Sequence, residues 1–228
     1  MGCLMTRLGD LSWPQVVGDV LVLPLGATEQ HGPHLPISTD ADIAEALAHG
    51  LAARRPGVAV APTLPYGASG EHAGFSGTLS IGHDALELVV VELVRSANDT
   101  WPHVLLLNAH GGNLPTLKTV VARMRDESRD VLLWTPPWRG DAHAGRTETS
   151  VQLALDPSRV GPGRDPGATE GLAELMPELR RAGLRAVTDN GVLGDPTGAS
   201  SEEGEELLAQ ALDDLEATVR TWLTVEPA

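Results

Sequence analysis

Five of the eight histidines in this 228-residue sequence fall in four short segments that also hold its most unusual polar residues. The first reads Glu29-Gln30-His31-Gly32-Pro33-His34, with Asp40 shortly after. The second reads Tyr66-Gly67-Ala68-Ser69-Gly70-Glu71-His72, the third Asn108-Ala109-His110-Gly111-Gly112-Asn113, and the fourth runs from Asp141 through His143 and Glu148 to Ser150. Carboxylates mixed with imidazoles suit Zn²⁺, Fe²⁺ or Mn²⁺ rather than ions that prefer thiolates. Glu29 and His31 stand two residues apart, so in an extended segment their side chains share a face. Asp40 returns at the start of the next helical pattern, where it would cap the helix or enjoy the helix dipole. With His110 these residues suffice for a metal pair bridged by Asp40, and such a pair activates water toward a carbonyl carbon.

Each segment taken singly has an ordinary structural role, as a cap, a turn or a loop contact; it is their joint position that points to a site. Short apolar runs alternate with helical patterns along the chain. Strands are expected at Asp19–Leu25, Val58–Pro62, His103–Asn108 and Val131–Trp134. Helices are expected at Asp40–Arg54, Asp84–Ser96, Leu114–Glu127, Thr147–Leu155, Glu170–Ala182 and Ser201–Leu223, with a glycine-rich loop over Pro65–Ser80. This alternation implies an α/β fold with a mostly parallel sheet covered on both faces, in a single domain spanning residues 1–228. Ligands of such sheets bind beyond the carboxyl ends of the strands, and each polar segment follows one expected strand.

Other chemistries find no support. A Gly-x-Ser-x-Gly elbow is missing, the nearest match being Ala68-Ser69-Gly70, and Lys118, the only lysine, lacks a phosphate-loop glycine pattern. The net charge of −15 argues against nucleic-acid binding. Its densest acidic run, Glu202 to Glu216, reads as a solvated helix face. No apolar stretch reaches membrane-spanning length. Cys3 alone excludes an internal disulfide and suits a reducing, cytoplasmic setting. Met1–Thr6 formally matches a myristoylation pattern of a kind common by chance.

The stretch Leu25-Gly26-Ala27-Thr28-Glu29-Gln30-His31-Gly32-Pro33-His34-Leu35-Pro36 with Asp40, the segment Asn108–Asn113, and His143 with Glu148-Thr149-Ser150 resemble the motifs of the creatininase family, in order and from about Leu8 to the last helix. The resemblance implies a metal-dependent amidohydrolase with a three-layer α/β/α sandwich, assembled as a homo-oligomer larger than a dimer. By position it makes Glu29 and His31 ligands of two different ions, with Asp40 bridging the pair and His110 joining Glu29 on its ion. It makes His143 the catalytic histidine, with Glu148 behind it. Creatinine-hydrolysing members carry a glutamate at the position of Gly112, so the second ion needs another ligand, with Glu148 or water as candidates.

Within the family, Pro65–His72, Asp141–Ser150 and Asn190–Ala199 resemble the subgroup of mycofactocin-system peptidases. That resemblance implies release of a modified C-terminal Val-Tyr dipeptide from a precursor peptide. Tyr66, Ser69, Glu71, His72 and Phe75 are then expected to bind substrate. The alternatives are hydrolysis of a small cyclic amide, deformylation of a formylamino nucleotide, or a non-enzymatic metal-binding scaffold.

Overall fold

The computed structural model describes residues 7–224; the myristoylation pattern and Cys3 lie outside the described residues. Four strands, β1 (Val20–Leu25), β2 (Val58–Val60), β3 (His103–Asn108) and β4 (Val131–Trp134), form one parallel sheet in the order β2-β1-β3-β4. All six residues of β1 are buried, as expected of a central parallel strand covered on both faces. Pro24 is tolerated there because its carbonyl, and so its missing N–H, faces the side where β2 has already ended; Leu64 N–H donates to that carbonyl.

Side-chain alternation divides the core into two layers. Leu21, Leu23 and Leu25 of β1 and Val104 and Leu106 of β3 pack against α2 (Gly82–Ala97) and α3 (Leu114–Asp126). Val20, Val22, Leu105 and Leu107 pack on the other face against α1 (Thr39–Arg54), α4 (Arg146–Leu155) and α6 (Ser201–Thr224). The fifth helix, α5 (Leu172–Ala182), buries no residue fully and lies outside these layers. The result is the expected α/β/α arrangement, with every strand delivering its carboxyl end to the same edge.

Two local features differ from the sequence expectation. Single 3₁₀ turns at Gly70–His72 and Pro157–Arg159 interrupt segments expected to be irregular, because three-residue turns leave no periodicity to read. Asp40 does not cap α1, which starts one residue earlier; its carboxylate turns instead toward two histidines.

The α4–α6 contact depends on Gly204. A Cβ there would fall 1.9 Å from the Ser150 backbone carbonyl oxygen, so the two helices meet backbone to backbone. Alanine is the better helix former by about 1 kcal/mol, whereas overpacking costs about 1–3 kcal/mol. Gly204→Ala should therefore lower the urea midpoint of unfolding, and a raised midpoint would show that the two helices separate freely.

Candidate metal centre and active site

The loop after β1 carries Glu29 and His31, the first turn of α1 carries Asp40, and the loop after β3 carries His110. These side chains meet in the interior: Glu29, His31 and Asp40 are all at most 2% exposed. Asp40 Oδ1 lies 3.2 Å from His31 Nε2, and Asp40 Oδ2 lies 3.1 Å from His110 Nδ1. His110 Nδ1 is also 3.3 Å from Glu29 Oε1, and His31 Nε2 is 3.8 Å from Glu148 Oε2. Ligand atoms of Glu29, Asp40 and His110 thus fall within 4.8 Å of one another, as do those of His31, Asp40 and Glu148. Asp40 belongs to both groups. A third group, Glu29, His31 and His143, overlaps the first two.

Backbone carbonyls decide which ring nitrogen each histidine presents. A carbonyl only accepts, so the nitrogen facing it carries the proton. His31 Nδ1 donates to Glu29 O at 3.1 Å, and His110 Nε2 donates to Ala68 O at 3.1 Å. His143 Nε2 donates to Gln30 O at 2.8 Å. In the neutral rings that metal binding requires, the opposite nitrogens, His31 Nε2, His110 Nδ1 and His143 Nδ1, would present their lone pairs toward the carboxylates. Such outer contacts are what orient metal-binding imidazoles.

The loops are tied to each other by two asparagines. Asn113 Nδ2 donates to Gly26 O and to Asn108 Oδ1, while Asn113 Oδ1 accepts from Ala68 N–H; Asn108 Nδ2 donates to His110 O. These residues stand in the quoted motifs, but nothing in their type or spacing reveals their partners. His34, the last residue of the first polar segment, is 1% exposed and pairs through Nε2 with Thr149 Oγ1 at 2.8 Å. Burial, with Arg164 and His31 nearby, lowers His34 to about 4.

The charges in the cluster are strongly coupled. Burial disfavours the His31 imidazolium, but Asp40, with Glu148 and Glu29 behind it, outweighs burial and pushes His31 up to about 10. His110 is raised in the same way, against burial, by Glu29 and Asp40. Burial would raise Asp40, yet His31 and His110 hold it well below the usual carboxylate range. Glu148 is pushed up to about 7 by burial, against His31 and with Asp40 adding to the rise. His143 is lowered by burial and by His31 and His72.

Three carboxylate oxygens in this cluster, Glu29 Oε1 and Oε2 and Asp40 Oδ2, are buried without a hydrogen-bond partner. Buried charged oxygens of this kind are costly unless a cation satisfies them. Donor types, tautomers and orphaned oxygens therefore all fit divalent metal. Where Gly112 offers no side chain, Glu148 reaches the group of His31 and Asp40 from α4. Its Oε2 also accepts from Ala144 N–H at 2.5 Å, bracing a residue with φ of 52° directly after His143.

The residues expected to meet substrate are distributed unevenly. His72 is buried, with Nε2 3.3 Å from Glu29 Oε1, and Glu71 Oε1 lies 3.8 Å from His110 Nε2 and opens to solvent. Ser69 is fully buried behind the cluster, its Oγ 3.5 Å from His110 Nε2. Tyr66 is 44% exposed, and Phe75 lies under the Arg185 guanidinium, 4.4 Å from the ring centroid.

A parallel sheet with this carboxylate–histidine centre at its carboxyl edge defines a metal-dependent hydrolase. The family profile for creatininase, described as creatinine amidohydrolase, matches residues 9–219, and the chain belongs to the creatininase family. It is similar to the mycofactocin precursor peptide peptidase of Mycolicibacterium smegmatis (46% identical over 213 residues, 89% of this chain and 85% of that protein). The protein of that name from Mycobacterium ulcerans is 44% identical over 222 residues, 92% of this chain and 86% of that one. The creatinine amidohydrolase of Pseudomonas putida is 28% identical, over 93% of this chain and 95% of its own length. A solved structure titled as manganese creatininase superposes with a TM-score of 0.80 at 26% identity, covering 96% of this chain and 99% of that one.

If Asp40 is common to both ligand groups and Glu148 serves only one, their substitutions separate. Asp40→Asn should abolish stoichiometric metal in the purified protein, whereas Glu148→Gln should remove about half. Elemental analysis after reconstitution checks this, and equal loss in both variants would contradict the shared role of Asp40.

Proposed function

We propose that the protein is the peptidase that releases the modified C-terminal Val-Tyr dipeptide from the mycofactocin precursor peptide during redox-cofactor biosynthesis. The observation that carries this reading is the 44–46% identity, over about nine-tenths of the chain, to proteins of that name, against 28% to a creatinine amidohydrolase. Gly112, where creatinine-hydrolysing members carry a glutamate, supports the same preference.

Glu29, Asp40 and His110 would hold one ion, and His31, Asp40 and Glu148 a second. Fe²⁺, Zn²⁺ and Mn²⁺ all accept this donor set. Bound there, divalent ions supply Lewis acidity that polarises the amide carbonyl and makes water a better nucleophile. His143, with its Nε2–H anchored on Gln30 O, keeps Nδ1 free to take a proton and pass it to the departing amine nitrogen. Glu148 braces the backbone that aims His143. Glu71 and His72 line the approach, and Tyr66 and Phe75 extend the same loop toward the aromatic end of the substrate, with Ser69 packed behind them.

The reading includes a single-domain chain acting in the cytoplasm as a homo-oligomer larger than a dimer. Among the described residues no helix is long and apolar enough to cross a membrane. Leu88, Val89 and Leu93 form an exposed apolar strip on α2, the kind of surface that a subunit contact covers.

Incubation of metal-loaded protein with maturase-modified precursor peptide should release the crosslinked dipeptide, detected by mass spectrometry and suppressed by a chelator. His143→Ala should lower turnover by about 10²-fold or more with metal content intact. An intact peptide under metal-replete conditions would exclude the peptide substrate and favour hydrolysis of a small cyclic amide or a formylamino nucleotide.

A further inference from the structure

Gln30 lies between two of the ligand-bearing positions, and its own contacts are unusually complete. The side chain is 6% exposed. Its Oε1 accepts from Gly32 N–H at 2.9 Å, and its Nε2 donates to Gly191 O at 3.0 Å, so two backbone groups fix which end of the amide is which. Nε2 has one hydrogen left and two imidazole neighbours, His72 Nδ1 and His143 Nε2, each at 3.1 Å. His143 Nε2 already carries a proton, because it faces the Gln30 carbonyl at 2.8 Å. The remaining amide hydrogen therefore goes to His72 Nδ1, and neutral His72 must carry its proton on Nε2.

That N–H points into the metal centre. His72 Nε2 is 3.3 Å from Glu29 Oε1 and 4.0 Å from Glu71 Oε1, yet Glu29 Oε1 has no aligned hydrogen-bond partner. The His72 and His143 rings meet edge to face, with centroids 4.5 Å apart and planes inclined by 62°. They turn different atoms toward the carboxylates: His72 its protonated Nε2, His143 its bare Nδ1, 3.8 Å from Glu29 Oε1.

We infer that Gln30 is a positioning residue: its side-chain amide fixes His72 as an N–H donor and its backbone carbonyl fixes His143 as an acceptor. A substrate amide is thereby met by one imidazole that gives a hydrogen bond and one that takes a proton. This rests on the amide-hydrolase reading above and assigns its complementary groups. Negative charge that develops on the carbonyl oxygen is stabilised by a preoriented N–H donor. With the proton on Nδ1 instead, a His72 lone pair would face both that oxygen and the glutamates. Gly191 belongs to the same device. Its φ is +80°, and a Cβ there would fall 2.0 Å from Gln30 Oε1, so any side chain displaces the amide.

The test uses zinc-loaded protein labelled with ¹⁵N-histidine, in which long-range ¹H–¹⁵N spectra distinguish the two tautomers. His72 is assigned by the peaks lost in His72→Asn. Wild-type His72 should carry its proton on Nε2. In Gln30→Glu, a carboxylate faces Nδ1 and the proton should move there. The same variant should lose about 10²-fold in kcat, with KM within about threefold and metal content unchanged. Gly191→Ala should reproduce the tautomer change from outside the site, and it serves if glutamate at position 30 impairs folding. A wild-type His72 protonated on Nδ1 overturns the inference, as does an unchanged tautomer or kcat in both variants. The spectra need no substrate, so their failure is distinct from failure of the peptide to be cleaved.

Discussion

Asp40 is the constraint from which the rest of the centre follows. It is a carboxylate 2% exposed to solvent, faced on its two oxygens by histidines from two different strand ends. An ionised carboxylate in such a place needs cationic partners on both sides, since an isolated buried charge costs several kcal/mol. His31 and His110 answer it as protonated rings when no metal is bound, and divalent ions answer it more fully. Two of the remaining oxygens, both on Glu29, are orphaned by the same geometry, and bound cations would satisfy them as well. The centre is thus built for positive charge, in a chain whose overall charge is −15.

The fold holds this arrangement through backbone rather than through long side chains. A parallel sheet brings four strand ends to one edge, so residues far apart in sequence converge without any strand having to bend. Carbonyls of residues 29, 30 and 68 then fix the tautomers of three imidazoles. Because these carbonyls sit in loops tied by Asn108, Asn113 and Gln30, an error in one loop misorients ligands carried by another. The two-layer core of aliphatic side chains supplies the rigidity, while α5, outside those layers, contributes little to it.

Much of this was legible in the sequence for physical reasons. Buried parallel strands read as apolar runs, which is why all four were found within a residue or two, and helices with sustained periodicity such as α2 and α3 were equally plain. The ligand types were visible because Glu, His and Asp in strand-end segments have few other reasons to cluster. What could not be read was pairing. Asp40 looks like a helix cap until His31 and His110 are seen to claim it. Gln30 looks like a spacer between ligands, since its partners Gly191, His72 and His143 lie 42 to 161 residues away. Glu148 has two contacts, Ala144 N–H and His31, and sequence offers no means of weighing them.

The central claim, that Asp40 joins two divalent-metal positions at the carboxyl edge of the sheet, is tested most directly by anomalous diffraction from crystals of the zinc-loaded protein. Two anomalous peaks are expected, one among Glu29, Asp40 and His110 and one among His31, Asp40 and Glu148. A single peak that does not touch Asp40, or density only at surface sites, would contradict it.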